Sequence, residues 1–170
     1  FKSEKFIVYI VSGASRGIGR FIFEDLKSKK LDVIGLATKA DPDKEILKCD
    51  ISDFMSVKSA HNIIKKKTKK IYALINVAGI ASMNLAIATP EDITKKIINT
   101  NLLGTIFINQ IFAPMLIRNN KGRIINFSTV AVKLAIKGEA VYTASKAGVE
   151  AYSRTLAKEL AIFKITVNCI

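Results

Sequence analysis

The chain has 170 residues, 49% of them hydrophobic and 24% charged, and 27 basic against 14 acidic side chains give it a formal charge of +13. So apolar a composition excludes a disordered chain, and three prolines with nine glycines exclude collagen-like or low-complexity sequence. One histidine, His61, and two cysteines, Cys49 and Cys169, are too few soft ligands for a zinc site, so no metal is expected.

In chain order, short β-branched runs predict strands near 6–11, 32–37, 46–49, 71–76, 122–127 and 164–169. Between them, helical periodicity predicts helices over Gly17 to Lys29, Met55 to Lys67, Glu91 to Arg118 with a bend at Pro114, and Tyr142 to Phe163. Strands alternating with crossover helices imply an α/β fold, a doubly wound, Rossmann-like parallel sheet of six strands. There is no internal repeat and no Ser/Gly/Pro linker, so residues 1–170 are expected to form one domain, burying roughly 70% of the unfolded surface. The uncharged runs Ile71 to Pro90 and Ile97 to Ile117 are interrupted by Asn, Gln, Gly and Pro, which argues against a membrane span. The basic run Lys65 to Lys70 falls at a predicted helix C-terminus, where cations meet the negative end of the helix dipole; it lacks the interleaved aromatics of a nucleic-acid surface. Two cysteines so far apart form no disulfide framework, and reduced thiols fit the cytoplasm.

The predicted first strand runs into Ser12-Gly13-Ala14-Ser15-Arg16-Gly17-Ile18-Gly19 and then into a helix. Glycines there permit a tight strand-to-helix turn and let amides at the helix N-terminus meet a pyrophosphate. No G-x4-G-K-[ST] follows, which disfavours a nucleotide triphosphatase. The second strand ends in Ala37-Thr38-Lys39, without the acidic residue that would hold a ribose 2′-hydroxyl. With Arg16, these groups welcome a 2′-phosphate, so NADP(H) is expected over NAD(H). Tyr142 and Lys146 stand at i and i+4 on one helix face, and a cation beside a tyrosine lowers the phenol from its usual pKa of about 10, as a general acid for carbonyl reduction needs. Ser128-Thr129 places hydroxyls at the carboxyl edge of the sheet, either able to bond a substrate carbonyl. Asn76-Val77-Ala78-Gly79 supplies small residues that could wall a flat cofactor at the same edge, and Asn76 itself reads as a tie between strands.

Together, Gly13-x3-Gly17-Ile18-Gly19, Asn76-Val77-Ala78-Gly79, Asn101 within Asn99-Thr100-Asn101-Leu102, Ser128-Thr129 and Tyr142-x3-Lys146 resemble the short-chain dehydrogenase/reductase family in order and spacing. Within it the chain looks most like the 3-oxoacyl-(acyl-carrier-protein) reductases. The resemblance implies a proton donor in Tyr142, a nicotinamide-ribose ligand in Lys146, and a water held by Asn101 as a proton relay. The family's substrate-orienting serine aligns onto Thr129, thirteen residues before the tyrosine; either Thr129 does that work in a tighter pocket or Ser128 shifts into it. Gly13, Ser15, Arg16, Ile18 and Gly19 would contact the phosphates, Thr38 the 2′-phosphate, Asp50 and Ile51 the adenine, and Val77, Ala78 and Gly79 the cofactor's flank.

The family continues past Asn168 into a Pro-Gly loop, a substrate-covering segment and a seventh strand, which are expected to be missing here. The expected function is hydride transfer from NADPH to a ketone, a 3-oxoacyl thioester or similar carbonyl. Alternatives are a non-catalytic dinucleotide-binding or assembly module, or an enzyme for another alcohol, sugar or steroid. Expected partners are a small or carrier-bound carbonyl substrate, an acidic acyl-carrier protein and further copies of the chain. Homodimers or homotetramers would pair Ile97 to Ile117 and the face bearing Ala147, Ala151 and Leu156; neither nucleic acid nor membrane is expected.

Overall fold

The strands pair all in parallel, in the order β3-β2-β1-β4-β5-β6, in the computed structural model, which describes residues 8–68 and 70–170. They are β1 (Val8–Ser12), β2 (Asp32–Ala37), β3 (Ile46–Lys48), β4 (Ile71–Asn76), β5 (Gly122–Asn126) and β6 (Ile165–Cys169). Phe6 and Ile7 of the expected first strand and Lys69 of the basic run lie outside the described residues. The helices are α1 (Gly17–Ser28), α2 (Phe54–Lys67), α3 (Glu91–Ile98), α4 (Gly104–Asn119), α5 (Ala131–Leu134) and α6 (Ala140–Leu160). The chain steps outward from β1 to β3 and then crosses to β4 on the other flank of β1. The connections after β1 and β4 therefore lead to helices on opposite faces of the sheet and leave a crevice at its carboxyl edge.

Covered on both faces, the central strands are nearly continuous apolar runs, as in Val33 to Ala37, all buried. One face packs Val57 and Ile64 of α2, Phe112 and Leu116 of α4, and Leu156 and Leu160 of α6 against Ile10, Leu74 and Ile124. The other packs Phe23 of α1 against Val11, Val33 and Ile75. This explains the apolar run Ile97 to Ile117: Ile108, Phe112, Met115 and Leu116 are at most 1% exposed in the core. Leu156, expected on a face left open for another subunit, is core as well, while Ala151 is exposed.

The predicted third helix is corrected at its middle. It is interrupted by a π turn over Asn99–Leu103, and Pro114 lies within α4. The cause is Asn101, whose side chain clamps the Ile80 backbone, accepting its N–H at 2.8 Å and donating to its carbonyl at 2.8 Å. Such single-turn bulges re-aim a residue without ending the helix. The predicted fourth helix begins two residues earlier, at Ala140, and gives way to a 3₁₀ turn over Ala161–Phe163. The short α5 leaves no signal in the residue pattern.

Asn76 does tie the strands. Its Nδ2 donates to Asn126 Oδ1 at 2.8 Å and to Asn109 Oδ1 at 3.0 Å, and Asn126 Nδ2 continues to Ser153 Oγ at 2.8 Å. All four residues are buried. Asn126→Leu removes the centre of this network and leaves the Asn76 amide short of an acceptor. A loss of about 2–4 kcal/mol is expected, seen as a lower urea midpoint at unchanged m.

Candidate functional site

Loop by loop, the carboxyl edge builds a cleft of about 480 Å³. After β1 the chain turns through Gly13 at φ +74, where a Cβ would stand 2.9 Å from Ala78 Cα, so the loops after β1 and β4 close to backbone contact. Gly19, in the first turn of α1, faces Gly13 so tightly that a Cβ would lie 2.3 Å from its carbonyl oxygen. The first turn of α1 has neither a capping side chain nor an acidic residue, so its amides face the cleft unclaimed and suit an anion. Above Gly17 the space is open: a methyl group at that position would meet no atom within 4 Å.

The cleft brings together Gly13, Ser15, Arg16, Ile18 and Gly19 with Thr38 at the end of β2, Asp50 and Ile51 after β3, and Val77, Ala78 and Gly79 after β4. Asp50 is fixed in its turn by accepting the Ser52 N–H at 2.9 Å and the Ser52 hydroxyl at 2.7 Å. Beneath it Cys49 is free, and burial pushes its thiol up to about 11, which makes it unreactive at neutral pH. Lys39 is not in this cleft. It lines an adjoining recess of about 180 Å³ with Ser15, Arg20 and Lys44. There Arg20 pairs with Glu24 at 2.7 Å and Lys44 with Asp41 at 3.7 Å, so among the described residues Lys39 is the surplus cation of the recess. These groups, glycine cradle, uncapped helix and surplus cation, fit a phosphate-bearing dinucleotide.

Asn101, Thr129, Tyr142 and Lys146 do not themselves line this cleft, which at Gly79 adjoins α6. Tyr142 is its third residue and half-buried, and its phenol makes no hydrogen bond among the described residues. One turn on, Lys146 is 5% exposed and donates from Nζ to Phe127 O at 2.8 Å. Burial lowers its pKa below the usual lysine value, with the charge of Cys169 acting in the opposite direction. No carboxylate lies within 4 Å of this ammonium among the described residues. Gly79 marks the meeting point: a Cβ there would be 3.2 Å from Asn101 Oδ1 and 3.4 Å from Lys146 Nζ.

The two hydroxyls after β5 are separated by what they bond. Ser128 donates to Glu150 Oε1 at 2.6 Å, whereas Thr129 Oγ1 accepts the Ala131 N–H at 3.2 Å and keeps its own hydrogen. Both amide hydrogens of Asn101 are committed, one to Ile80 O and one to Ser145 Oγ at 3.0 Å, and Ser145 donates on to Tyr142 O at 2.6 Å. Ser145 thus links Asn101 to the tyrosine's own turn, a role the motif Tyr142-x3-Lys146 conceals because the serine falls among its unspecified positions. Ile80 and Lys96 also line the cleft, outside the residues that the motifs point to, as does Thr100, which the Asn99-Thr100-Asn101-Leu102 motif contains without assigning it a role. Lys96 carries no sequence signal at all; only the packing of α3 brings it there.

Residues 7–170 match the family model described as short chain dehydrogenase. The 3-oxoacyl-(acyl-carrier-protein) reductase FabG of Salmonella typhimurium is 34% identical over 173 residues, which cover 96% of this chain and 71% of that protein. The NAD-dependent glycerol dehydrogenase of Listeria innocua is 32% identical, with 96% and 68% covered. Among solved structures, a short-chain dehydrogenase from Streptomyces avermitilis superposes with a TM-score of 0.91 at 27% identity over 98% of this chain. The ligand-free aldohexose dehydrogenase of Thermoplasma acidophilum gives 0.89 at 29% identity over 95%. The chain spans 65% and 64% of the length of these two structures.

The buried ammonium has a signature in stability. Between its lowered folded value and the ordinary 10.5, the unfolded chain holds a proton that the folded chain has released, so this lysine's contribution to stability rises with pH across that window. Relative to wild type, Lys146→Met should therefore look most favourable below that window and lose its advantage as the pH rises toward 10.5 in urea titrations. Cys49 acts the other way in both proteins and cancels in the difference, whereas Cys169 is coupled to Lys146, so the comparison is made in a Cys169→Ser background.

Proposed function

This chain belongs to the short-chain dehydrogenase family of NAD(P)-dependent oxidoreductases, and from that premise we propose that it reduces a ketone with NADPH, the substrate being a 3-oxoacyl thioester or similar apolar carbonyl compound. The observation that carries the reading is the convergence beside Gly79, where the cleft adjoins α6. A buried ammonium, with no carboxylate beside it among the described residues, faces Asn101 across Gly79, and a free phenol stands one helical turn away.

When bound, the nicotinamide supplies the hydride for the carbonyl carbon. The chain's own part is protic. Tyr142 gives the proton on Oη to the carbonyl oxygen as negative charge develops there, a general-acid contribution of roughly 10²–10⁴-fold. Lys146 stabilises the phenolate left behind and holds the ribose, its charge undiminished by any carboxylate among the described residues. Thr129 orients the carbonyl, since its hydroxyl hydrogen is uncommitted while that of Ser128 is given to Glu150. A relay water at Asn101 would meet the second lone pair of Oδ1 or a backbone carbonyl, because both amide hydrogens are taken.

NADPH is favoured over NADH by the surplus charge of Lys39, by Arg16, which pairs with no carboxylate among the described residues, and by the hydroxyl of Thr38, all at the adenosine end. An apolar substrate is favoured by Met83, Val130 and Leu134, all two-thirds exposed or more. Their two loops are joined through the Asn84 N–H to Gly138 O at 2.8 Å, beside the start of α6. The +13 charge suits an acidic carrier protein, half-buried Phe107 and Ile111 on α4 suit a subunit contact, and two free thiols suit the cytoplasm.

With an acetoacetyl thioester and NADPH, Tyr142→Phe should lower kcat at least about 100-fold while the Kd for NADPH stays within about twofold. Thr129→Val should cost a comparable factor; full kcat in that variant would sink its assignment. In steady-state assays kcat/KM should favour NADPH over NADH by about tenfold or more, and Lys39→Glu should erase the preference. Equal or better turnover with NADH in the wild type would overturn the cofactor assignment.

A further inference from the structure

Tyr142, Lys146, Glu150 and Arg154 follow one another at four-residue intervals on α6 and so share one face. The proposed reaction uses the first two. Glu150 does not turn back to Lys146. Its Oε1 accepts the Ser128 hydroxyl at 2.6 Å, and its Oε2 lies 3.8 Å from Arg154 Nη1. Successive residues of the loop leaving β5 are thereby gripped by successive turns of α6: Lys146 donates to Phe127 O, and Glu150 accepts from Ser128. The Ser128 N–H also donates to Ile170 O at 2.6 Å, so Ser128 is held by side chain and main chain, immediately before Thr129.

We propose that Glu150 is a positioning residue, which through Ser128 sets where the Thr129 hydroxyl stands relative to Tyr142; the inference rests on the reductase reading above. A hydroxyl-to-carboxylate bond of this length is of the strong, charge-assisted kind. Its loss frees the Ser128 side chain and lets the next residue wander by a fraction of an ångström to an ångström, a displacement to which reacting geometry is sensitive. Arg154, largely exposed and 3.8 Å away, adds little to this hold, so the Ser128 hydroxyl is the main partner of the carboxylate.

The test uses the full-length protein, an acetoacetyl thioester and NADPH. Glu150→Ala and Ser128→Ala should each lower kcat about tenfold, leave the Kd for NADPH within about twofold, and combine to no greater loss than either alone. Glu150→Gln, which keeps an acceptor oxygen, should recover most of the rate. Multiplying losses in the double variant, or an unchanged kcat in Glu150→Ala, overturn the proposal, as does a loss of cofactor affinity in step with kcat. Amide hydrogen exchange supplies a readout independent of turnover. Glu150→Ala should speed exchange at Ser128 and Ala131 but not at Ile80, whose N–H is held by Asn101; unchanged exchange at Ser128 and Ala131 overturns the positioning role whatever the activity. Failure of the reductase reading is recognised separately, as a wild-type protein that binds NADPH and turns over no ketone, and the exchange result still decides the hold of Glu150 on the loop.

Discussion

Four buried polar side chains hold the carboxyl edge together: Asn76 on β4, Asn126 on β5, Asn109 on α4 and Ser153 on α6. An amide taken from water without partners costs more than a made hydrogen bond returns, so these groups are stabilising only in one mutual arrangement. That arrangement fixes α4 and α6 against β4 and β5, whereas the apolar contacts nearby would tolerate small slips. Everything catalytic in the proposed mechanism hangs from those two helices or from the loops leaving those two strands.

The π turn over Asn99–Leu103 shows the same logic at a second place. A regular helix from Glu91 to Asn119 would satisfy its own backbone, yet the chain inserts one residue so that Asn101 can close on both backbone groups of Ile80. Ile80 follows the Gly79 turn, and Asn101 reaches through Ser145 to the backbone of Tyr142. One side chain therefore joins the loop after β4, which walls the cleft, to the helix that carries the phenol and the ammonium. The uncapped N-terminus of α1 is the complementary case, a set of polar groups left without protein partners where an anion can take them.

Much of this is legible in residue patterns. Strand and helix order, the parallel sheet, the glycine turn and the pairing of Tyr142 with Lys146 all rest on local periodicity and spacing, which a single sequence displays directly. Pattern alone puts a bend at Pro114 because proline is the usual local cause of a kink; the actual interruption is caused by a contact between Asn101 and Ile80, 21 positions apart. Leu156 reads as an interface residue because its helix looks too apolar, and it is buried because β6 and α4 pack over that face. Lys96, Ser145 and Glu150 leave no trace in the motif because their roles depend on what crosses their path in space.

The α/β class, the doubly wound arrangement and the glycine turn at the carboxyl edge are already contained in the order of amino acids. They follow from periods of 2 and 3.6 and from turn chemistry, which are properties of neighbours along the chain. Which of two adjacent hydroxyls is free, which lysine in the recess beside β2 keeps its charge unpaired, and that burial weakens the hold of Lys146 on its proton are settled only on folding. Hydrogen-bond partners, ion pairs and desolvation are set by groups distant in sequence, and only the folded chain brings them within reach.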